Sequence, residues 1–275
     1  MSFTSESVRV RTLDGLHLAA TLVTPDRSVV RLGGSLVMVH GGGVTRDEGG
    51  FFTRLAAGVA QAGIASLRFD LRGHGESEGR QEDLTLAAIL NDIRVALADM
   101  RERTGEVQAG LLGTSFAGGI CGYYAAERPE ELHRLVLLNP QFDYKRRTID
   151  SRDYWTDDYL DESVAARLAD TGYIDFKPGL RHGRAILNEV FWLRPHEAVG
   201  RVQTPTLLVH GTEDTLVDIA TTRAAAARLQ VAHRLVEIEG AQHGFAVHDD
   251  PEYRDPRSQA WQASVIATVS QWLTE

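Results

Sequence analysis

A series of short, unbroken apolar runs constrains this chain most. They are "SLVMVH" (35–40), "IASLRFD" (64–70), "VQAGLLG" (107–113), "LHRLVLLN" (132–139), "PTLLVH" (205–210) and "HRLVEIEG" (233–240). A strand with one wet face alternates apolar and polar residues, whereas one covered by helices on both faces does not need to. Helical patterns fill the gaps, at 51–63, 83–105, 116–132, 220–232 and 258–273. In the second, Leu86, Ile89, Leu90, Ile93, Leu97 and Met100 recur at spacings of three and four, which makes one apolar stripe. At the front, "SVRVRTLDGLHLAATLVTP" alternates on both sides of Asp14-Gly15 and predicts an antiparallel hairpin. Strand then helix, repeated behind a hairpin, predicts an α/β fold with a mostly parallel, doubly wound sheet.

The alternation stops between Phe142 and Gly200, where charge is dense and no strong strand stands out. "DYWTDDYLDESVAARLADTGY" and "RAILNEVFWL" predict short helices, so residues 142–200 are expected to form an inserted helical cap or lid. Residues 1–141 and 201–275 would then make one core domain.

Composition removes several function classes. A net charge of -9 gives no basic footprint for nucleic acid or an anionic membrane surface. Cys121 is the only cysteine, which excludes an intrachain disulfide and fits a reducing, cytoplasmic setting. Neither a signal-peptide core nor an apolar stretch of membrane-spanning length is present, so a soluble, intracellular chain is expected. "GGG" at 41–43 lacks a phosphate-loop context, and the ten histidines show no HExxH or paired spacing. Neither a cofactor nor a metal is expected.

Ligands of an open parallel sheet bind outside the carboxyl ends of its strands. Four polar or glycine-rich sites follow strands in this way: His40-Gly41-Gly42-Gly43, Gly113-Thr114-Ser115, Asp214 and His243. A serine hydroxyl is a weak nucleophile that needs a base within reach, and the base needs an acid to fix its tautomer. Ser115, Asp214 and His243 supply these three groups. For the acid, Glu213 and Asp218 are neighbouring alternatives, and His248 is a local rival to His243. Ser115 could instead be a plain helix N-cap.

The order serine, acid, histidine and the pentad "GTSFA" resemble the α/β-hydrolase family, serine esterase type. "RFDLRGHGES" (68–77), "HGTEDTLV" (210–217) and "GAQHGF" (240–245) resemble further loops of that family. The fifth pentad position is Ala117, where the family has glycine, which predicts a slightly displaced helix and an intact nucleophile turn. The resemblance implies an oxyanion hole made by the amides of Gly42 and Phe116, with Gly41 or Gly43 as alternatives to Gly42. His40, Asp70, Arg72 and His74 are expected to brace turns.

Cap length and loop motifs are similar to those of small cinnamoyl or feruloyl esterases and lid-bearing monoacylglycerol lipase-like hydrolases. Aromatic residues of the cap, Trp155, Phe191 and Trp192 among them, are expected to line a pocket for a partly apolar acyl or aryl group. "RRTIDSRD" and "RHGR" add cations nearby. The expected activity is hydrolysis of a carboxylic ester through an acyl-enzyme. Thioester hydrolysis or acyl transfer would use the same groups, and a catalytically silent binding member of the fold is the reading from another class. A small-molecule ester or thioester is the expected partner, and a homodimer is left open.

Overall fold

The structure, a computed structural model, describes residues 3–26, 34–248, 250 and 253–275. β1 (Phe3–Arg11) and β2 (His17–Pro25) form the hairpin expected around Asp14-Gly15, with Arg11 opposite His17. Gly15 takes φ 93° there, and the Thr12 hydroxyl donates to Asp14. Next come β3 (Ser35–Val39), α1 (Phe51–Gln61), β4 (Ala65–Phe69), α2 (Leu86–Thr104), β5 (Ala109–Thr114), α3 (Phe116–Glu127) and β6 (Leu132–Leu138).

Between β6 and the next sheet strand, the inserted residues form β7 (Trp155–Thr156), β8 (Tyr159–Leu160), α4 (Glu162–Thr171), β9 (Tyr173–Lys177), β10 (Leu180–Gly183), α5 (Arg184–Glu189) and α6 (Pro195–Ala198). The chain ends with β11 (Thr206–Gly211), α7 (Ile219–Arg228), β12 (His233–Ile238) and α8 (Pro256–Thr274).

Eight strands make the main sheet in the order β1-β2-β4-β3-β5-β6-β11-β12. β1 with β2 and β2 with β4 run antiparallel, and the remaining pairs are parallel. Apolar side chains of the central strands feed both faces. In β3, Val37 and Val39 join the core under α2 and α3, while Leu36 and Met38 join the core under α1 and α8. This two-sided burial is why those runs carry no polar alternation. Five of the six stripe residues of α2 are buried, and Leu90 packs at their margin. Thr85 caps that helix by accepting from the Ala88 amide, and Gly105 ends it at φ 76°.

The insert departs from the expected set of short helices. Two antiparallel hairpins, β7-β8 and β9-β10, accompany its helices. In β9 the sequence "YIDFK" buries Ile174 and Phe176 and exposes Asp175 and Lys177, a period of two hidden in a charged stretch. Glu189 ties the insert to the core by accepting from the Leu86 and Ala87 amides at the open N-terminus of α2. Among the described residues no helix is long and apolar enough to cross a membrane.

Candidate active site

Ser115 sits between β5 and α3 with φ 50° and ψ -119°, a conformation that L-residues adopt only where the surroundings enforce it. Its amide donates to Leu138 O at 2.8 Å, and its carbonyl accepts from Gly118 N and Gln141 N. The strand and helix meet so closely here that a methyl group on Gly113 would lie 2.6 Å from Cys121 Sγ. Ala117 is fully buried in this contact, and the sharp turn persists with alanine at that position. The Ser115 hydroxyl makes no helix-capping bond. Instead its Oγ lies 2.9 Å from His243 Nε2.

His243 stands in a single turn after β12, where Gly244 (φ 72°) and the buried Phe245 (φ 55°) fix the loop. Its Nδ1 is 2.7 Å from Asp214 Oδ2. Asp214 follows β11, and its side chain is fully buried. Burial pushes the carboxyl pKa up, but hydrogen bonds from His210 and His243 outweigh this and hold it well below the usual carboxylate range. Amides of Leu216 and Val217 donate to the other carboxylate oxygen at 2.8 and 2.9 Å. An ionised Asp214 fixes the Nδ1–H tautomer of His243 and leaves Nε2 free to accept from Ser115. The rival groups stand elsewhere. Glu213 and His248 are exposed, and Asp218 caps α7 through the Ala220 amide.

The glycine loop after β3 faces the serine. A methyl group on Gly42 would lie 3.3 Å from Phe116 Cβ, and one on Gly41 would lie 3.2 Å from Ser115 Cβ. The Gly41 amide is already taken by Glu48 Oε1, which removes it from the candidate donors. Gly42 and Phe116 neighbour one another beside Ser115, and Phe116 opens α3, whose dipole adds positive potential. Tyr144 steadies this corner by donating to Phe116 O and accepting from Ile120 N.

Two functional-looking residues escape the sequence reading. His210 is fully buried, with Nε2 between Val217 O at 3.0 Å and Asp214 Oδ2 at 3.3 Å, and Nδ1 2.8 Å from Thr222 Oγ1. Because a carbonyl can only accept, Nε2 carries the proton, and His210 braces the acid from behind. Its place four residues before Asp214 at a strand end was the available signal. Glu48 lines the cavity at Ser115, and burial pushes its pKa up to about 7. It takes φ 46° between Asp47 and two further left-handed residues, Gly49 and Gly50.

The expected braces stand as such. His40 links Gly41 O to the Leu71 amide, and burial, with the His74 ring beside it, pushes its pKa down to about 4. Asp70 gathers Arg46 and the Glu76 amide, and Arg72 joins Asp92 to Asp14.

Three aromatic expectations need correction. Trp155 and Phe191 pack on one another at 6.3 Å within the insert's own apolar margin, and Trp192 is 85% exposed. None of them lines the cavity of about 140 Å³ at Ser115, whose aromatic walls are Phe116, Tyr144, Phe176 and Tyr253. A second cavity of about 410 Å³ adjoins it, and Gln141, Arg147, Leu216 and Val217 border both.

Comparison with known proteins agrees with this architecture. Residues 34–173 match the family model of the α/β hydrolase fold, and residues 182–274 match that of the dienelactone hydrolase family. Over 183 residues the chain is 30% identical to lipase LipV of Mycobacterium tuberculosis, covering 65% of this chain and 66% of the lipase. Over 127 residues it is 28% identical to a monoacylglycerol lipase of Mycolicibacterium smegmatis, covering 46% of this chain and 43% of that enzyme. These alignments thus span about half to two thirds of the curated relatives. Est1E of Butyrivibrio proteoclasticus, solved with ferulic acid bound, superposes with a TM-score of 0.76 at 21% identity, covering 98% of this chain and all of Est1E. With the family model matching more than half of its length, the chain belongs to the α/β hydrolase fold family.

Proposed function

We propose that the protein is a serine hydrolase that cleaves carboxylic esters through an acyl-enzyme. The observation that carries this reading is the unbroken hydrogen-bond chain Ser115 Oγ–His243 Nε2, His243 Nδ1–Asp214 Oδ2, opening into a cavity beside Gly42 and Phe116. As the serine attacks the ester carbonyl, its proton passes to Nε2, and Asp214 stabilises the imidazolium that forms. Negative charge that develops on the carbonyl oxygen falls to the Gly42 and Phe116 amides. Such preorganised donors are worth about 10²–10³ in turnover each. The protonated His243 then gives its proton to the departing alcohol. Water, deprotonated by the same imidazole, attacks the acyl-serine, releases the acid and restores the hydroxyl.

Glu48 contributes by position. By accepting from Gly41 it turns the preceding peptide of the donor loop and leaves the Gly42 amide for the oxyanion. The lipase and esterase names of the relatives support an ester as substrate, and the modest cavity supports a small or medium acyl group. Steady-state hydrolysis of p-nitrophenyl butyrate tests the reading. Measurable turnover that Ser115→Ala abolishes is the expected result. No hydrolysis across a panel of acyl lengths would contradict it.

A further inference from the structure

We propose that the cavity beside Ser115 takes an ester that carries a second, ionised carboxylate, paired by Arg147 and Lys177 and hydrogen-bonded by His182. This rests on the ester-cleaving reading and narrows its substrate class.

The insert supplies an excess of positive charge to this cavity, although the chain as a whole has a net charge of -9. Elsewhere in the insert, Lys145, Arg181 and Arg194 each have an acidic partner within 4.0 Å. Among the described residues, no ion pair engages Arg147, Arg152 or Lys177. Arg147 is half-buried, and a guanidinium keeps its charge at any pH a protein survives. Holding such a charge away from water without a counterion costs stability, and a bound anion would offset that cost.

Arg147 and Arg152 are held in place by a ring. Phe176 carries Arg152 over its ring at 3.9 Å and Arg147 at 5.7 Å, and His182 stacks on it at 4.3 Å. His182 is 1% exposed and lines the cavity, yet neither ring nitrogen has a hydrogen-bond partner. Burial, with Arg152 nearby, pushes its pKa down to about 3, so the ring is neutral and offers one N–H and one lone pair. Buried polar groups are normally satisfied, and an oxygen-bearing guest would satisfy this one. Lys177 lines the same cavity. A methyl group on Gly43 would lie 3.6 Å from its ammonium, which places the charge next to the oxyanion loop.

Opposing charge acts only from beyond ion-pair distance, from Asp214 on Arg147 and from Glu48 on Lys177. Glu48 is the one acid among the described residues lining the Ser115 cavity, and its raised pKa and its bond to Gly41 keep it from acting as a full counterion. In the adjoining cavity Asp143 accepts from the Arg146 amide and Asp218 caps α7. Arg147 borders both cavities, so a carboxylate there would lie one short chain away from a carbonyl at Ser115.

Proton release measures the test with two substrate pairs: monomethyl glutarate against methyl pentanoate, and 4-acetoxybenzoate against 4-methylphenyl acetate. The expected result is a kcat/KM at least about tenfold higher for the carboxylate member of one pair, a preference that shrinks at high salt. Arg147→Met should lower the charged-to-neutral ratio about tenfold, with Arg147→Lys falling less. Lys177→Met, on the exposed rim, should lower the same ratio and guards against a folding defect in the first variant. A preference for the neutral member in both pairs, or an unchanged ratio in both methionine variants, would overturn the proposal. Calorimetric titration of Ser115→Ala separates the two readings. Tighter binding of monomethyl glutarate than of methyl pentanoate, with no turnover by the wild type, sinks ester cleavage alone. Turnover of neutral esters without charge preference sinks the carboxylate site alone.

Discussion

The cavity at Ser115 has two walls built on opposite terms. At the sheet edge the triad and its supporting side chains have protein partners: Ser115 with His243, His243 and His210 with Asp214, Glu48 with Gly41, His40 with Gly41 and Leu71. On the wall supplied by the insert, Arg147, Lys177 and the buried His182 have no hydrogen-bond or ion-pair partner among the described residues. The difference teaches how the labour is divided. Groups proposed to act on the acyl carbonyl are preorganised by strand ends of the fold, whereas Arg147 and His182 of the insert are ordered by stacking on Phe176 and keep open hydrogen-bonding capacity.

Substitutions on the two walls should therefore fail differently. The largest effect is expected for Ser115→Ala, which removes the nucleophile and should lower kcat by about 10⁴-fold or more while binding persists. Asp214→Asn keeps the shape but inverts the tautomer of His243, and kcat should fall about 10³–10⁴-fold in the same steady-state assay. A loss under tenfold would mean that the partnered wall is not acting as one unit. Glu48→Ala should cost about tenfold in kcat with little change in KM, and Glu48→Gln, which still accepts from Gly41, should recover most of it.

Glu48 also predicts a pH effect on stability. Its folded pKa, about 7, lies above its ordinary value of 4.5, so the folded state keeps a proton that the unfolded chain has released between those limits. Stability should therefore fall as pH rises through that window. In urea unfolding at pH 5 and pH 8, wild type should lose on the order of 1–3 kcal/mol more than Glu48→Gln. Equal losses would contradict a half-buried, proton-holding carboxyl. The smallest effect is expected for Trp192→Ala, which should change kcat/KM less than about threefold because that ring faces solvent. A larger loss would bring Trp192 back to the substrate wall.

The same two regions differ in how far they are legible from residue order. Parallel strands, the front hairpin and the positions of Ser115, Asp214 and His243 follow from local rules, because continuous apolar runs mark covered strands and ligands gather at their carboxyl ends. The insert obeys no such rule. β7 and β8 are two residues long, too short for any period, and the alternation of β9 sits among charges. Aromatic residues announce apolar contact without saying with what, so Trp155 and Phe191 found each other while Phe176 turned toward the serine. His210 and Glu48 act through neighbours distant from any pentad, His210 on the buried carboxylate and Glu48 on a loop amide seven residues before it.

Intact-protein and peptide mass spectrometry after treatment with diisopropyl fluorophosphate, which loses fluoride to an activated serine, tests the nucleophile most directly. A single adduct on Ser115, formed in step with loss of ester hydrolysis and absent from Ser115→Ala, is the expected result. Full inactivation with the adduct on another residue, or folded protein that hydrolyses esters while Ser115 stays unlabelled, would contradict it.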